Sequence, residues 1–178
     1  MIAQAHRFMT RLGLALCVAC AVAALALPYI FAPAVRIVYN ASDSLPSGWY
    51  RIEPAAELRV GSIVLARPPA DVAALAARRG YLPLRVPLLK PIAALASQQV
   101  CMRGRRLSIN GDAVATALPA DTRYRPLPLW QQCRRLRQGE VFLLSTSNPA
   151  SFDSRYFGPV AASEVLGIAQ PLWTWSSP

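Results

Sequence analysis

The sequence predicts a mostly β, antiparallel domain that follows a single N-terminal transmembrane helix. The helix is predicted by an uncharged apolar run of 24 residues at 12–35. The β domain is predicted by short apolar stretches that recur between turn signals along the rest of the chain. Only one later segment, 71–79, spaces its apolar residues as an amphipathic helix does. A chain of 178 residues thus has room for one ordinary domain and an attachment.

The apolar run is long enough to cross a bilayer. As a helix it would reach about 36 Å, against about 30 Å for a hydrocarbon core. Pro28 and Pro33 are expected to end or kink this helix near its exit. A cleaved secretory signal is the alternative, because "ALALP" at 24–28 resembles a small-residue cleavage region. The run is longer than the usual signal core, which favours an uncleaved anchor.

The charges beside the run favour a cytoplasmic N-terminus. Two arginines precede the run and Arg36 follows it, which gives a modest positive-inside bias. We therefore expect a short cytoplasmic tail at 1–11, the anchor at 12–35 and a domain at 36–178 outside the cytoplasm.

The cysteines are consistent with this division. Cys17 and Cys20 lie in the apolar run, whereas Cys101 and Cys133 lie in the exported part. An even pair in a compartment that permits disulfides predicts a bond between Cys101 and Cys133. Closing that loop would contribute about 3–4 kcal/mol to stability. Because no histidine lies nearby, the two cysteines make a poor zinc site, and no metal is expected.

The exported part is expected to consist of short strands with one helix. "INGD" at 109–112 carries the Asn-Gly pair that favours a two-residue hairpin turn. "DVAALAARR" at 71–79 predicts the helix. The stretches that predict strands are "RIVYN", "GWYRI", "GSIVLA", "LRVPLLKPIAAL", "RLSINGDAVA", "GEVFLLS" and "EVLGIAQPLW".

Positive charge is concentrated in a basic insert at about 101–137. Eight arginines face two acids there, Asp112 and Asp121. The insert is either a solvated arginine-rich surface or a contact for anionic lipid headgroups or an acidic partner. Nucleic acid is not expected, since a helix-turn-helix or base-stacking motif is missing from the sequence.

Histidine chemistry is excluded from the exported domain. The only histidine, His6, precedes the apolar run, so the domain has no Ser-His-Asp triad, Cys-His dyad or histidine zinc site. The base of a hydrolase would therefore be a carboxylate or the single lysine. Asp43 and Asp153 are the candidates for a paired-carboxylate site, although both lie in settings typical of turn or ion-pair residues.

Lys90 is the only lysine among nineteen basic residues, and it lies within the apolar stretch "VPLLKPIAAL" at 86–95. One explanation for the single lysine is chance, because an arginine-biased composition still leaves an occasional lysine. The other is that this position needs a chemical property that arginine lacks. Arginine stays protonated, whereas a lysine amine loses its proton when it is buried among apolar groups.

Two polar stretches offer partners for this lysine. "NASDSLPSGWY" at 40–50 holds three serines, and "NPASFDSRYFGPV" at 148–160 holds Ser151, Asp153 and Arg155. Taken singly, the first is a turn between strands and the second a loop ordered by an Asp–Arg pair.

Together, "SDS" at 42–44, "LLK" at 88–90 and "SFDSRYFG" at 151–158 resemble the serine–lysine type I signal peptidases, with the same motifs in the same order. The closer resemblance is to the TraF-type conjugative-transfer peptidases, which share the form of "NASDSLPSGWY" at 40–50. The resemblance covers most of residues 35–170 and implies an antiparallel β signal-peptidase-like catalytic domain.

The resemblance implies roles for individual residues. Ser44 matches the nucleophile and Lys90 the general base. Ser42 matches the residue whose hydroxyl joins the Ser44 backbone N–H in the oxyanion hole. Ser151 matches the serine that orients the lysine. Asp153 and Arg155 match a supporting pair whose role is structural.

Some positions depart from the family pattern or stay open. "STSNPA" at 145–150 stands where signal peptidases usually carry Gly-Asp-Asn-Arg, and Pro91 stands where an arginine commonly follows the lysine. The usual Gly-Asp after the first motif is "GS" at 61–62. Ser42 and Ser47 remain alternative nucleophiles.

The sequence therefore predicts a membrane-anchored serine endopeptidase that removes the leader peptide of an exported precursor. The resemblance implies a conjugative pilin subunit as the substrate and, in some relatives, cyclisation of the product. A general signal peptidase for secreted proteins and a non-catalytic anchored assembly factor are the alternatives. The expected partners are a pilin-like precursor and inner-membrane lipid, with no cofactor. The expected location is the bacterial inner membrane, crossed once, with the catalytic domain in the periplasm.

Overall fold

The computed structural model describes residues 13–26 and 37–175. The chain divides after residue 35 into two units. In the first unit, residues 13–26 form a helix, α1. Across the two described ranges, no helix has the length and apolar character needed to cross a membrane. The predicted anchor at 12–35 extends beyond the described part of α1 at both ends and stays a prediction, and the predicted tail at 1–11 lies outside the described residues.

The second unit is built from antiparallel strands, as predicted. A seven-stranded sheet has the order β1-β2-β11-β3-β4-β9-β10, and a four-stranded sheet has the order β7-β6-β5-β8. The strands are β1 Ile37–Asn40, β2 Ser47–Glu53, β3 Ile63–Ala66, β4 Leu88–Ala94, β5 Gln99–Arg103, β6 Arg106–Ile109, β7 Asp112–Thr116, β8 Cys133–Arg135, β9 Glu140–Leu143, β10 Val160–Ala161 and β11 Val165–Trp175.

Helices are short in this unit. α2, Ala70–Arg79, is the helix predicted at 71–79, and it ends because Gly80 adopts a left-handed conformation with φ 71°. The sequence did not predict α3, Ser154–Phe157, a single turn capped by the Asp153 side chain, or the 3₁₀ turn Ala162–Glu164. One-turn helices carry too few residues to show a periodicity, which explains why they were missed.

The predicted hairpin turn at "INGD" joins β6 to β7. Asn110 and Gly111 both have positive φ, at 54° and 99°, and the flanking residues Ile109 and Asp112 are paired across the strands. Positive φ at both central residues is the requirement of a type I′ turn, which asparagine and glycine meet at low cost.

The basic insert forms the four-stranded sheet. Cys101 of β5 lies opposite Cys133 of β8 in the antiparallel register, and the two are joined by the predicted disulfide. Arg134 is ion-paired with Glu140 at 2.6 Å. The insert also contacts the late polar stretch, because the Trp130 backbone N–H donates to the Arg155 carbonyl at 3.1 Å.

Three apolar clusters hold the two sheets in place. The largest lies beside the insert and contains Trp130, Phe142 and Tyr156. A second contains Ile92 of β4 and Val141 of β9, and a third lies under β2. The strand β4 contributes Leu89, Ile92 and Ala94 to these three clusters, and Lys90 is buried beside them.

Candidate active site

Ser44 lies in the loop between β1 and β2, which the side chain of Asn40 holds in shape. Asn40 is 6% exposed, and its Nδ2 donates to the carbonyls of Ser42, Leu45 and Pro46 at 3.0, 3.1 and 3.2 Å. Its Oδ1 accepts from the Ser42 backbone N–H at 3.1 Å and hydroxyl at 2.8 Å. One amide thereby ties both sides of the loop together. The sequence had given Asn40 no role beyond its place in the motif.

Lys90 is the third residue of β4, where it pairs with Val64 of β3. Only 5% of Lys90 is exposed. This burial disfavours the ammonium form and lowers the pKa of the amine from 10.5 to about 8, while nearby Asp153 raises it and Arg155 lowers it. A substantial share of the lysine is therefore a neutral amine at mildly alkaline pH.

The structure brings three predicted side chains into mutual contact. The Lys90 amine donates to the Ser44 hydroxyl oxygen and to that of Ser151 at 2.6 Å. The two serine oxygens are 3.2 Å apart, and all three residues are buried. Once the amine is neutral it has a lone pair beside the Ser44 hydroxyl, which is the arrangement that activates a serine nucleophile.

A buried ion pair between Asp153 and Arg155 holds the backbone of Ser151 in place. Arg155 donates through Nε and Nη2 to the two oxygens of Asp153, both at 2.8 Å. The same Nη2 donates to the Ser151 carbonyl at 3.0 Å. Asp153 and Arg155 are 0% and 1% exposed. The pair therefore fixes the backbone that presents the Ser151 hydroxyl to Lys90.

The other predicted residues lie outside this contact set. Ser42 is exposed, and its hydroxyl donates to Asn40. Ser47 begins β2. Among the described residues, neither serine is a hydrogen-bond partner of Lys90. Asp43 is exposed, whereas both oxygens of Asp153 are occupied by Arg155, so the two carboxylates do not form a matched acid–base pair.

Sequence reasoning missed Ser145 and Ser147. Both hydroxyls donate to the carbonyl oxygen of Ser44, at 2.6 and 3.1 Å. They lie in "STSNPA", which the sequence shows only as a departure from the family pattern. The only sequence feature that points to Ser145 is its position as a polar residue directly after the apolar stretch "VFLL" at 141–144.

The three-residue contact set opens onto a cleft of about 780 Å³. One wall is the segment between α2 and β4, and the other includes residues of the basic insert. These walls are joined where the Tyr81 hydroxyl donates to Asp121, which also accepts from Arg125 Nε at 2.7 Å. Ser44, Lys90 and Ser151 all line this cleft.

Comparison with known proteins gives consistent results. Residues 9–175 match the family described as signal peptidase, peptidase S26. A plasmid transfer protein TraF of Escherichia coli is 32% identical over 146 residues, which covers 76% of this chain and 82% of that protein. A conjugal transfer protein TraF of Agrobacterium tumefaciens (strain 15955) is 32% identical over 144 residues, with 76% and 81% covered.

Among solved structures, a signal peptidase I from Enterococcus faecalis V583 is 22% identical and has a TM-score of 0.35. The alignment covers 63% of this chain and 97% of that chain.

Proposed function

The chain belongs to the peptidase S26 family of signal peptidases, and from this premise we propose that it is a serine–lysine endopeptidase that cleaves the leader peptide from an exported precursor. One observation carries the proposal: Lys90, buried and with a lowered pKa, contacts both Ser44 and Ser151. Burying a lysine that has no carboxylate partner costs stability. A catalytic requirement for a neutral amine explains why the lysine lies there.

The reaction proceeds by covalent catalysis. Neutral Lys90 takes the hydroxyl proton of Ser44 as the Ser44 oxygen attacks the scissile carbonyl carbon. The tetrahedral intermediate collapses when the C–N bond breaks and the Lys90 ammonium gives that proton to the leaving amine. The acyl group then remains on Ser44. Lys90, neutral again, takes a proton from water as the water oxygen attacks the ester carbon. The C–O bond to Ser44 then breaks, and the Lys90 ammonium returns the proton to the Ser44 oxygen, which releases the second product and restores both side chains.

The developing oxyanion needs hydrogen-bond donors near Ser44. Among the described residues, none accepts a hydrogen bond from the Ser44 backbone N–H, so this donor is available. The Ser42 hydroxyl is the proposed second donor, and it must leave Asn40 to reach the oxyanion. Each donor aimed at the oxyanion is worth about 3 kcal/mol.

The proposed substrate is the precursor of a conjugative pilin subunit. The support comes from the relatives, which are named as plasmid and conjugal transfer proteins. Either water or the substrate's own amine resolves the acyl-enzyme, and the second route gives a cyclic product. Incubating the protein with a pilin-like precursor and with an ordinary secreted precursor separates the proposed specificity from that of a general signal peptidase.

The proposed location of the catalytic domain is the periplasmic face of the inner membrane. Besides the apolar run at 12–35, support comes from aromatic rings on the β1-β2-β11 part of the sheet. Tyr39 lies 5.1 Å from Trp49 and 6.2 Å from Trp175 between ring centroids, and Trp173 is 73% exposed. Exposed tryptophan and tyrosine are typical of membrane interfaces. Cell fractionation with protease added from the periplasmic side tests this location.

The decisive experiment compares Ser44→Ala and Lys90→Arg with the wild-type protein in membranes that contain the precursor. Both variants are expected to lose processing, measured by mass spectrometry of the mature product. Lys90→Arg is the more informative variant, because it keeps the positive charge and removes only the ability to deprotonate. Ser47→Ala is the matched control, since Ser47 lies three residues from Ser44 and outside the Lys90 contacts. Normal processing by both variants would exclude the proposed activity.

A further inference from the structure

Two hydroxyl groups that the proposed mechanism does not use converge on the backbone of the nucleophile. The Ser145 hydroxyl donates to the Ser44 carbonyl oxygen at 2.6 Å, and the Ser147 hydroxyl donates to the same oxygen at 3.1 Å. The two hydroxyl oxygens are themselves 3.1 Å apart. Ser145 is 1% exposed, whereas Ser147 is exposed. Ser145 is thus the buried member of a pair that caps one carbonyl.

Ser145 is itself held by the elements that position Lys90. Its backbone N–H donates to Asp153 Oδ2 at 3.1 Å. The preceding residue, Leu144, donates its N–H to the carbonyl of Pro91 at 3.1 Å, and Pro91 directly follows the lysine on β4. These two backbone hydrogen bonds fix Ser145 relative to the lysine strand, independently of the contact between its hydroxyl and Ser44.

This arrangement restrains the nucleophile. A carbonyl oxygen has two lone pairs, and the two serines supply one donor for each. Since the peptide unit is planar, fixing its oxygen fixes the plane that carries the Ser44 α-carbon. The loop between β1 and β2 is otherwise held by the Asn40 side chain, which donates to the carbonyls of Ser42, Leu45 and Pro46. The Tyr50 hydroxyl also donates to the Pro46 carbonyl, at 2.7 Å.

We propose that Ser145 is a positioning residue of the reaction, which sets the distance between the Ser44 hydroxyl and the Lys90 amine by holding the Ser44 carbonyl. This inference rests on the proposed function for its kinetic consequence. Ser145 does not touch the reacting atoms, and it acts through Ser44. A displacement of about 1 Å at a nucleophile costs about 100-fold in rate, so the loss of a single restraint has a measurable effect.

The test removes each hydroxyl separately. Ser145→Ala is expected to lower kcat for precursor cleavage about 10–100-fold with KM changed less than about twofold, because the substrate-binding walls are untouched. Its pH profile is expected to keep the wild-type midpoint, because Lys90 keeps its surroundings. Ser147→Ala is expected to lower kcat less than about threefold, since its hydrogen bond is longer and Ser147 is an exposed residue.

Ser154→Ala is the matched control for a buried serine hydroxyl. Ser154 is 0% exposed, and its hydroxyl accepts from the Leu143 backbone N–H at 3.0 Å without contacting Ser44. If Ser145 were only a structural residue, both variants would lower the melting temperature and leave kcat unchanged. Wild-type kcat in Ser145→Ala, or an equal loss of kcat in Ser154→Ala, would overturn the proposal.

A second measurement is independent of peptidase activity. Amide hydrogen exchange of the peptide covering residues 41–46 reports how often the nucleophile loop opens. Ser145→Ala is expected to speed this exchange about tenfold while leaving peptides from β5 and β6 unchanged. Faster exchange in Ser145→Ala, together with a wild-type protein that cleaves no precursor, would uphold the restraint and reject the proposed function. Unchanged exchange and unchanged kcat in Ser145→Ala would reject the positioning role of Ser145 and leave the proposed function intact.

Discussion

The amine of Lys90 lies 2.6 Å from the hydroxyl oxygen of Ser151, so a side chain from a loop late in the chain completes the surroundings of a lysine on a central strand. The Ser151 backbone is fixed in turn by Arg155, which donates to its carbonyl at 3.0 Å. Lys90 therefore has two oxygen partners, of which one is the proposed nucleophile and the other only orients the amine.

Removing the orienting hydroxyl is expected to slow the chemical step. In Ser151→Ala the amine keeps Ser44 as its partner but becomes free to rotate, and we expect kcat to fall about 10–100-fold. KM should change little, because Ser151 is only 4% exposed and its hydroxyl is bonded to Lys90 and Ser44. Steady-state kinetics on a fluorogenic leader peptide measure both constants. Ser154→Ala serves again as the control, and equal kinetics in the two variants would contradict an orienting role for Ser151.

The pH dependence of the reaction should report the titration of Lys90. Only the neutral amine accepts the Ser44 proton, and burial lowers the pKa of this amine to about 8. We therefore expect kcat/KM to fall about tenfold for each pH unit below 7 and to level off above 9. The measurement is kcat/KM from pH 6 to 10 at constant ionic strength. An inflection near 10 or above would mean that the lysine is solvated in the free enzyme.

The same shift predicts a stability difference that depends on pH. The folded state binds fewer protons than the unfolded state between pH 8 and 10.5, so the wild-type free energy of unfolding gains from Lys90 as pH rises through this window. Below pH 8 the lysine costs on the order of 3 kcal/mol. The gain in unfolding free energy of Lys90→Met over wild type should therefore be largest near pH 7. This gain should disappear by pH 10.5. Urea titrations of both proteins at each pH measure the difference, and a constant difference would exclude a shifted pKa.

Local chemistry explains why most of the fold was predictable from the sequence. The strands alternate with turn residues, and the Asn110-Gly111 turn has the conformation that its residue types favour. The apolar stretch around Lys90 left a chance lysine and a functional amine both open, and the proposed roles of Lys90 and Ser44 came from the resemblance to the serine–lysine signal peptidases. Ser145 was not predictable, because its importance depends on a contact with Ser44 that lies 101 positions away in the sequence. Such a contact has no local pattern.

The buried pair of Asp153 and Arg155 should affect both stability and the acidity of Lys90. Asp153→Asn leaves the Arg155 charge buried without its partner, which is expected to cost about 3–5 kcal/mol in unfolding free energy. Asp153 also raises the pKa of Lys90, whereas Arg155 lowers it, so the substitution should move the inflection of kcat/KM to lower pH. Urea unfolding and the pH profile measure the two effects. Asp112→Asn, at an exposed position on β7, should change neither, and an unmoved inflection in Asp153→Asn would mean that the two charges are not coupled.

The disulfide should stabilise the domain without taking part in the reaction. Cys101 and Cys133 are 32 positions apart, and a bond that closes a loop of this size is worth about 3–4 kcal/mol through the entropy of the unfolded chain. It joins β5 to β8 within the four-stranded sheet, and no residue of the proposed active site lies on those strands.

The double variant Cys101→Ala/Cys133→Ala should therefore unfold at lower urea concentration and keep wild-type kcat at temperatures where it is folded. Reductant should lower the wild-type midpoint to that of the double variant. Reductant should have no effect on the double variant itself, which retains Cys17 and Cys20 and so controls for them. A fall in kcat in the folded double variant would show that the insert transmits strain to the Ser44 site through Arg155, whose guanidinium donates to the Thr116 carbonyl at the end of β7 at 3.2 Å.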